Sequence, residues 1–233
     1  MAMSKLKYFK NLFLMVFVTL VCADCGAVKA ETVFTCENAK KVKNGQEIIK
    51  KTQSSYKKVL GLAADFEQSS VLLGMADAFQ STGTLKFMRQ GRMNWEYLTP
   101  KPQKFISDGE TVWFYEPEVN QVTIGKLTKS FDSQVPVSFL LGVGDIEKSF
   151  SATEACKIQE GYLLKLKPKE PQPNLKEFSL LVDSVEYLPI GAKIVDSGDT
   201  STQFVFKNLK QVESFNSDQF RFVPPDGVDV VRH

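Results

Sequence analysis

Residues 89–123, RQGRMNWEYLTPKPQKFISDGETVWFYEPEVNQVT, contain the pattern that decides the fold. From residue 93 to residue 97, large apolar side chains alternate with polar ones, which is typical of a strand with one buried and one solvated face. Asp108 and Gly109 then predict a hairpin turn, because both residues tolerate the backbone conformations that reverse two twisted strands. The segment therefore predicts a meander of antiparallel strands that is rich in aromatic side chains.

The same alternation recurs from residue 64 to the C-terminal region, without strand–helix–strand units, internal repeats or low-complexity linkers. Roughly ten or eleven strands are expected, the last of them from Phe220 to Val223, closed by the two prolines that follow. A chain of this kind predicts a mainly β fold, a strongly curved antiparallel sheet that forms an open, incomplete β-barrel with a few helices. Residues 31–233 are expected to form a single domain, in which residues 31–43 carry little pattern and are interpreted as a tail.

Two helices are predicted within this mainly β chain. Asn44 and Glu47 resemble a capping box, and apolar residues at helical spacing follow until Gly61, which is expected to stop the helix. From residue 134 to residue 142, a proline near the first turn and a glycine at the end predict a short second helix. The side chains of this second helix are apolar on nearly every side. We therefore expect the helix to be buried, or to fill an opening that it can also leave.

The first thirty residues are organised like a cleaved secretory signal peptide. Three lysines precede an apolar run at residues 11–23, and small residues around Ala30 suit a cleavage point. The apolar run is shorter than the roughly 20 residues that a membrane-spanning helix needs. Without residues 1–30 the chain has 25 basic and 26 acidic residues, because four lysines and one aspartate are removed. A near-neutral domain lacks the basic surface that binds nucleic acid, so no nucleic-acid partner is expected.

The four cysteines divide between the signal segment and the rest of the chain. Cys22 and Cys25 lie in the signal segment, and the residues before them fit a lipidation site poorly. Cys36 and Cys156 remain after cleavage and form a disulfide in one interpretation, since exported proteins meet an oxidising compartment. Two unpaired thiols are the alternative, because sequence does not give the distance between the two residues.

Catalytic and metal-binding patterns are missing from the sequence. His233 is the only histidine and the last residue, so a Ser–His–Asp or Cys–His site within the fold is not expected. No His-Glu-x-x-His pattern, no Cys/His metal spacing and no phosphate-binding loop is present. Many carboxylates remain, but no pair stands out. We therefore expect a protein that is not an enzyme and that uses no metal or other cofactor.

The aromatic meander also carries a family resemblance. The chain resembles the outer-membrane lipoprotein carrier family, LolA, and the resemblance extends from about Gln46 to the end. The matching features are Arg89 before Asn94-Trp95, the hairpin Asp108-Gly109-x-x-Val112-Trp113-Phe114-Tyr115-x-Pro117 with Asn120-Gln121-Val122-Thr123, and the ending Phe220-x-Phe222-x-Pro224-Pro225-x-Gly227-Val228.

The resemblance implies an open barrel whose apolar concave face is closed by a helical lid. Proteins of this family carry acylated lipoproteins through the periplasm of Gram-negative bacteria. They receive them from an inner-membrane ATP-binding-cassette exporter and pass them to an outer-membrane acceptor. The resemblance therefore implies a monomeric periplasmic carrier, released after signal peptide cleavage.

Two sets of residues acquire roles from the resemblance. The side chains expected to line an acyl-chain cavity are Phe66, Leu85, Phe87, Met93, Trp95, Tyr97, Phe178, Leu180, Phe204 and Phe206. Arg89 matches the family arginine that hydrogen-bonds the lid in the closed form. The lid itself would include Pro136, Val137, Phe139, Leu140 and Leu141. Without the resemblance, the same aromatic residues would favour an ordinary β-sandwich core.

Two other functions on the same fold stay open. A lipid-anchored outer-membrane acceptor would carry its lipid on an N-terminal cysteine. An envelope sensor would bind lipid or a partner protein and transport nothing. Such sensors often carry a second domain, for which this chain length leaves little room.

Overall fold

A computed structural model describes residues 34–75, 77–127 and 144–232, and thirteen strands among them join into one sheet. In chain order the strands are β1 (Lys40–Lys41), β2 (Gly61–Val71), β3 (Phe79–Met88), β4 (Arg92–Thr99), β5 (Gln103–Asp108), β6 (Thr111–Glu116), β7 (Gln121–Lys126), β8 (Phe150–Lys157), β9 (Tyr162–Pro168), β10 (Leu175–Val182), β11 (Pro189–Asp196), β12 (Ser201–Val212) and β13 (Asp229–Arg232). In space the order is β1-β8-β9-β10-β11-β12-β2-β3-β4-β5-β6-β7-β13. All neighbours are antiparallel except β7 and β13, and the described strands do not close into a ring. The prediction of a mainly β, open antiparallel sheet is confirmed.

In the described parts of the chain, the α-helices that accompany the sheet are α1 (Gly45–Tyr56) and α2 (Ile146–Ser149). Short 3₁₀ helices occupy Pro117–Val119 and Ser217–Phe220. Neither α-helix of the described residues has the length and apolar character that crossing a lipid bilayer requires.

Helix α1 begins where the sequence predicted, but its ends differ from the expected pattern. Asn44 precedes the helix without a capping hydrogen bond from its side chain, because its backbone (φ −98°, ψ 31°) lacks the extended conformation that aims a cap at the first turn. The helix ends at Tyr56, and Gly61 is the first residue of β2 instead of the helix stop. A Cβ at Gly61 would lie 3.0 Å from the carbonyl oxygen of Phe87, so strand packing explains this glycine.

The sheet curls around α1, and we call the face that packs against this helix the concave face. At the start of α1, a Cβ on Gly45 would lie only 2.8 Å from Cβ of Ala152 on β8. At the end of α1, the Tyr56 ring stacks on Phe87 of β3, with centroids 5.9 Å apart. In a flat sheet β8 and β3, six positions apart, would be separated by about 29 Å, whereas twelve helical residues span only about 18 Å. The contacts at both ends of α1 therefore require strong curvature.

The hairpin predicted at Asp108-Gly109 is confirmed between β5 and β6. Asp108 accepts hydrogen bonds through Oδ1 from the backbone N–H groups of Glu110 (2.9 Å) and Thr111 (2.8 Å). Gly109 has φ +104°, and a Cβ there would lie 2.4 Å from the carbonyl oxygen of Gln90. Only glycine fits this position without strain.

The strand expected at Phe220–Val223 is wrong. Phe220 ends the second 3₁₀ helix and is buried, and no strand covers residues 221–228. The final strand is β13, which pairs in parallel with β7. Pro224 and Pro225 have no N–H to donate to a sheet, and this delays the last strand until after Gly227.

The N-terminal segment is also more ordered than the tail expected from its sequence. Cys36 and Cys156 form a disulfide with an S–S distance of 2.09 Å, and β1 pairs with β8 beside it. Phe34 packs with these sulfurs against Leu163 and Leu181 in a second buried cluster. These two leucines lie on the opposite face of β9 and β10 from Leu164 and Leu180 of the main core. The segment therefore covers part of the convex face.

Removal of the disulfide is expected to destabilise the protein. The two cysteines are separated by 120 residues, and opening a loop of this size releases unfolded-state entropy worth about 3–5 kcal/mol. In urea, the Cys36→Ser/Cys156→Ser variant should unfold at a lower midpoint than the oxidised wild type. Reductant should leave the midpoint of the variant unchanged. The wild type should fall to the same midpoint in reductant. Equal midpoints for variant and oxidised wild type would contradict this role.

Candidate functional site

The concave face brings together all ten side chains predicted to line a cavity. They are buried in one continuous cluster, formed by Phe66, Leu85, Phe87, Met93, Trp95, Tyr97, Phe178, Leu180, Phe204 and Phe206. Ile48, Ile49 and Tyr56 of α1 belong to the same cluster. Protein side chains thus fill much of this interior, and α1 supplies part of the filling. The assignment of these ten residues to acyl chains stays a prediction.

Aromatic rings form the centre of the interior. Trp95 on β4 lies 5.0 Å from Phe66 on β2 and 5.4 Å from Phe204 on β12, measured between ring centroids. Phe66 in turn lies edge-on to Tyr97 at 5.0 Å. Such aromatic pairs contribute about 0.5–1.5 kcal/mol each beyond the area they bury. Sequence reasoning found these residues because strand alternation places them on one face.

A cavity of about 320 Å³ lies where α1 ends, and we call it the mouth cavity. It is lined by Gln53, Tyr56, Lys57, Val59, Phe87, Arg89, Gln90 and Gly144. The Tyr56 ring, Val59 and Phe87 form an apolar wall, whereas Lys57 and Arg89 supply positive charge. Burial raises the pKa of Tyr56, so its phenol stays neutral. The lining suits a ligand that joins an apolar tail to a polar head.

Arg89 ties the end of the α1 region to the sheet. Its Nε donates a hydrogen bond of 2.7 Å to the carbonyl oxygen of Val59, and its backbone N–H donates to the carbonyl oxygen of Leu60 (3.1 Å). Hydrogen bonds donated by an ionised guanidinium are stronger than those between neutral groups, so Arg89 fixes the segment after α1 against the sheet. The predicted lid residues Pro136, Val137, Phe139, Leu140 and Leu141 lie outside the described residues. The contact of Arg89 with that lid therefore stays a prediction.

Sequence reasoning missed a second attachment, between α1 and α2. The side-chain oxygen of Gln53 accepts a buried hydrogen bond of 2.8 Å from the backbone N–H of Ile146. Asp145 caps α2 by accepting from the backbone N–H of Lys148 (3.0 Å), and it pairs with Lys57 at 3.3 Å. An aspartate before a helix is a recognisable N-cap signal, but four-residue α2 was too short to give a helical pattern.

The environment of Asp145 lowers the pKa of its carboxyl. Partial burial alone raises this pKa, but the hydrogen bond from the Lys148 backbone and the charge and hydrogen bond of Lys57 outweigh the burial. The folded state therefore favours the ionised carboxylate. No group of three or more metal-ligating side chains occurs within the described ranges.

An open antiparallel sheet that wraps an apolar interior beside a cavity can enclose an apolar ligand. The chain belongs to the family of the outer membrane lipoprotein carrier protein LolA, whose sequence model matches residues 57–223. The family resemblance seen in the sequence is thereby confirmed, and the family's description is that of a carrier.

Individual relatives agree with this membership. The chain is 31% identical to the outer-membrane lipoprotein carrier protein of Nitrosomonas europaea over 184 residues, which cover 79% of this chain and 88% of the relative. It is 29% identical to the protein of the same description from Dechloromonas aromatica over 170 residues, covering 73% and 80%. A crystal structure of an uncharacterized conserved protein from Thermus thermophilus matches with a TM-score of 0.53 at 15% identity, covering 82% of this chain and 100% of the other. This last likeness supports the fold alone.

The Asp145→Asn substitution is expected to destabilise the protein by about 0.2–1 kcal/mol at neutral pH, because asparagine can still cap α2 but loses the charge that pairs with Lys57. A carboxylate whose folded pKa is lowered stabilises the fold above its unfolded pKa of about 3.9, and this contribution disappears as the pH falls through the folded value. Urea unfolding at several pH values should show the difference from wild type shrinking below pH of about 4. Asp226→Asn, in an exposed turn, is the matched control. A difference that is constant with pH would contradict the account.

Proposed function

We propose that this protein carries lipoproteins across the periplasm by enclosing their acyl chains in the concave face of its sheet. One observation carries the proposal: the curved sheet buries a continuous apolar face, with a cavity at its margin. Membership of the lipoprotein carrier family supports the same function. Binding and release would be its whole activity, without catalysis.

The cavity of the described conformation is too small for several long acyl chains. A cavity of about 320 Å³ is at the small end of the range for drug-sized ligands, and several long acyl chains need much more space. Tyr56 and Val59 line the mouth cavity and also belong to the apolar interior, and the Tyr56 ring is stacked on Phe87. Loading would therefore move the end of α1 away from β3 and break the bond between Arg89 and Val59. Phe139, Leu140 and Leu141 of the predicted lid would occupy the interior in the same competitive way.

Competition of this kind makes release possible. Burial of acyl chain contributes about 0.8 kcal/mol per methylene, so full burial of three long chains would exceed roughly 20 kcal/mol, beyond the practical limit for reversible binding. Apolar side chains of α1 and the lid lose their own burial when acyl chains enter. The net affinity is then small enough for the cargo to move on, and the two conformations form a pair that the ligand biases.

The carrier would act between two membranes and depend on partners at both. Energy for loading would come from an inner-membrane ATP-binding-cassette exporter, and an outer-membrane acceptor would take the cargo. Residues 1–30 would direct export to the periplasm and then be cleaved. A disulfide between Cys36 and Cys156 suits that oxidising compartment.

Native mass spectrometry of the protein purified from periplasm tests the proposed function. We expect a mature chain without residues 1–30, of which a fraction carries one triacylated lipoprotein or lipopeptide. Lipid attached covalently to an N-terminal cysteine would instead identify an acceptor. Copurification of a protein partner without lipid would contradict transport and favour a sensor.

Substitution of Arg89 tests the role of the closed form in release. Arg89→Leu removes a charged hydrogen bond worth about 1.5–3 kcal/mol. The ratio of closed to open molecules should therefore fall roughly tenfold or more. The variant should still be loaded by the exporter but should transfer little cargo to an acceptor in a reconstituted assay. Arg221→Leu, at an exposed arginine outside the mouth cavity, is the control. Transfer at the wild-type rate by Arg89→Leu would defeat the assignment.

A further inference from the structure

The far end of the concave face is polar rather than apolar. Six buried side chains there, each exposed by 8% or less, point to the same side as the aromatic core. We call them the polar floor: Gln68, Ser70, Ser81, Tyr97, Gln103 and Thr202. We infer that the polar floor ends the acyl-chain site and sets the length of chain that the carrier holds best. This inference rests on the proposed function and names a specificity determinant within it.

Strand register places the polar floor opposite the mouth cavity. On β3, Phe87 lines the mouth cavity. Ser81 precedes it by six residues on the same face of the strand, which places the two residues about 20 Å apart. On β2, Leu62, Ala64 and Phe66 are followed on the same face by Gln68 and Ser70 of the floor. An acyl chain that entered beside Phe87 and ran parallel to the strands would therefore meet apolar side chains first and polar side chains last.

Hydrogen bonds hold the polar floor together. The Tyr97 hydroxyl donates to the side-chain oxygen of Gln68 at 2.8 Å, and Gln68 donates through Nε2 to Ser70 at 3.1 Å. The hydroxyl oxygens of Ser70 and Thr202 lie 3.3 Å apart, so the network joins β4, β2 and β12. An acyl chain that pushed through this network would separate buried polar partners, and unpaired buried polar groups are costly.

Gln103 adds a second reason for the chain to stop. This residue pairs in register with Tyr97, and its side-chain oxygen is buried without a hydrogen-bond donor among the described residues. Such an oxygen favours water or another donor as its neighbour. A terminal methyl group pressed against it would leave the oxygen unsatisfied, whereas a chain that ends at Phe66 and Trp95 would not.

Acyl chains of increasing length test the inference directly. The probe is a series of N-acylcysteinyl peptides with one saturated chain, and affinity is measured by isothermal titration. For wild type, each methylene should raise affinity by roughly fourfold until the chain reaches the floor, after which affinity levels off. In the Gln68→Leu/Tyr97→Phe variant, both partners of one hydrogen bond become apolar, and Ser70 keeps Thr202. Affinity should then keep rising for about two more methylenes, a gain of roughly 15-fold for the longest chains.

A matched control lies on the outer face at the same end of the sheet. Gln80→Leu replaces a glutamine that donates to Ser69 at 3.0 Å on the exposed side. The affinity of this variant should level off at the same acyl-chain length as that of the wild type. Identical profiles for all three proteins would overturn the inference while leaving the proposed function intact. Failure of every peptide to bind the wild type would instead contradict the proposed function.

A second measurement needs no change to the polar floor. In a Trp113→Phe background, Trp95 is the remaining tryptophan. It lies on β4, between Met93, which pairs with Phe87, and Tyr97 of the polar floor. Peptides with bromine atoms near the methyl end of the chain should quench Trp95 more strongly than peptides with bromine near the carbonyl. Equal quenching, or stronger quenching by the carbonyl-side label, would show that the chain does not end above the floor.

Discussion

The pairing of β12 with β2 is the interaction on which the rest of the structure depends. It joins the group of β1 and β8 to β12 to the group of β2 to β7 and β13, and it sets Phe206 opposite Phe66 on the concave face. Both residues lie within aromatic contact of Trp95. Without this pairing the chain would form two separate sheets, and neither would be broad enough to wrap around α1. The apolar interior is therefore a consequence of one long-range strand pairing.

An open sheet with a helix in its concavity has to balance stability against access. The apolar face must be covered when no ligand is present, and α1 covers part of it with its own side chains. The Tyr56 ring, stacked on Phe87, holds the end of α1 together with polar contacts. These polar contacts join Arg89 to Val59, Gln53 to Ile146, and Lys57 to Asp145. None of them involves the central rings of Trp95, Phe66 and Phe204, so they can break while those rings stay packed.

Sequence periodicity predicted the parts of the structure that depend on local pattern. The aromatic meander, the turn at Gly109 and the ten inward-facing side chains follow from alternation and turn chemistry, and the structure has them together. The final strand β13, the docking of α2 and the cover over the convex face depend on long-range pairing, which alternation does not encode. The polar floor was also missed. Polar residues such as Gln68 and Ser70 are expected on the solvent face of a strand, and only the strand register shows that they face inward.

A crystal structure of the protein with a bound triacylated lipopeptide tests the central claim most directly. The account predicts acyl-chain density between α1 and strands β2 to β4, in contact with Phe87 and Trp95, with the Tyr56 ring moved off Phe87. Acyl chains bound on the convex face, with Tyr56 still stacked on Phe87, would contradict it.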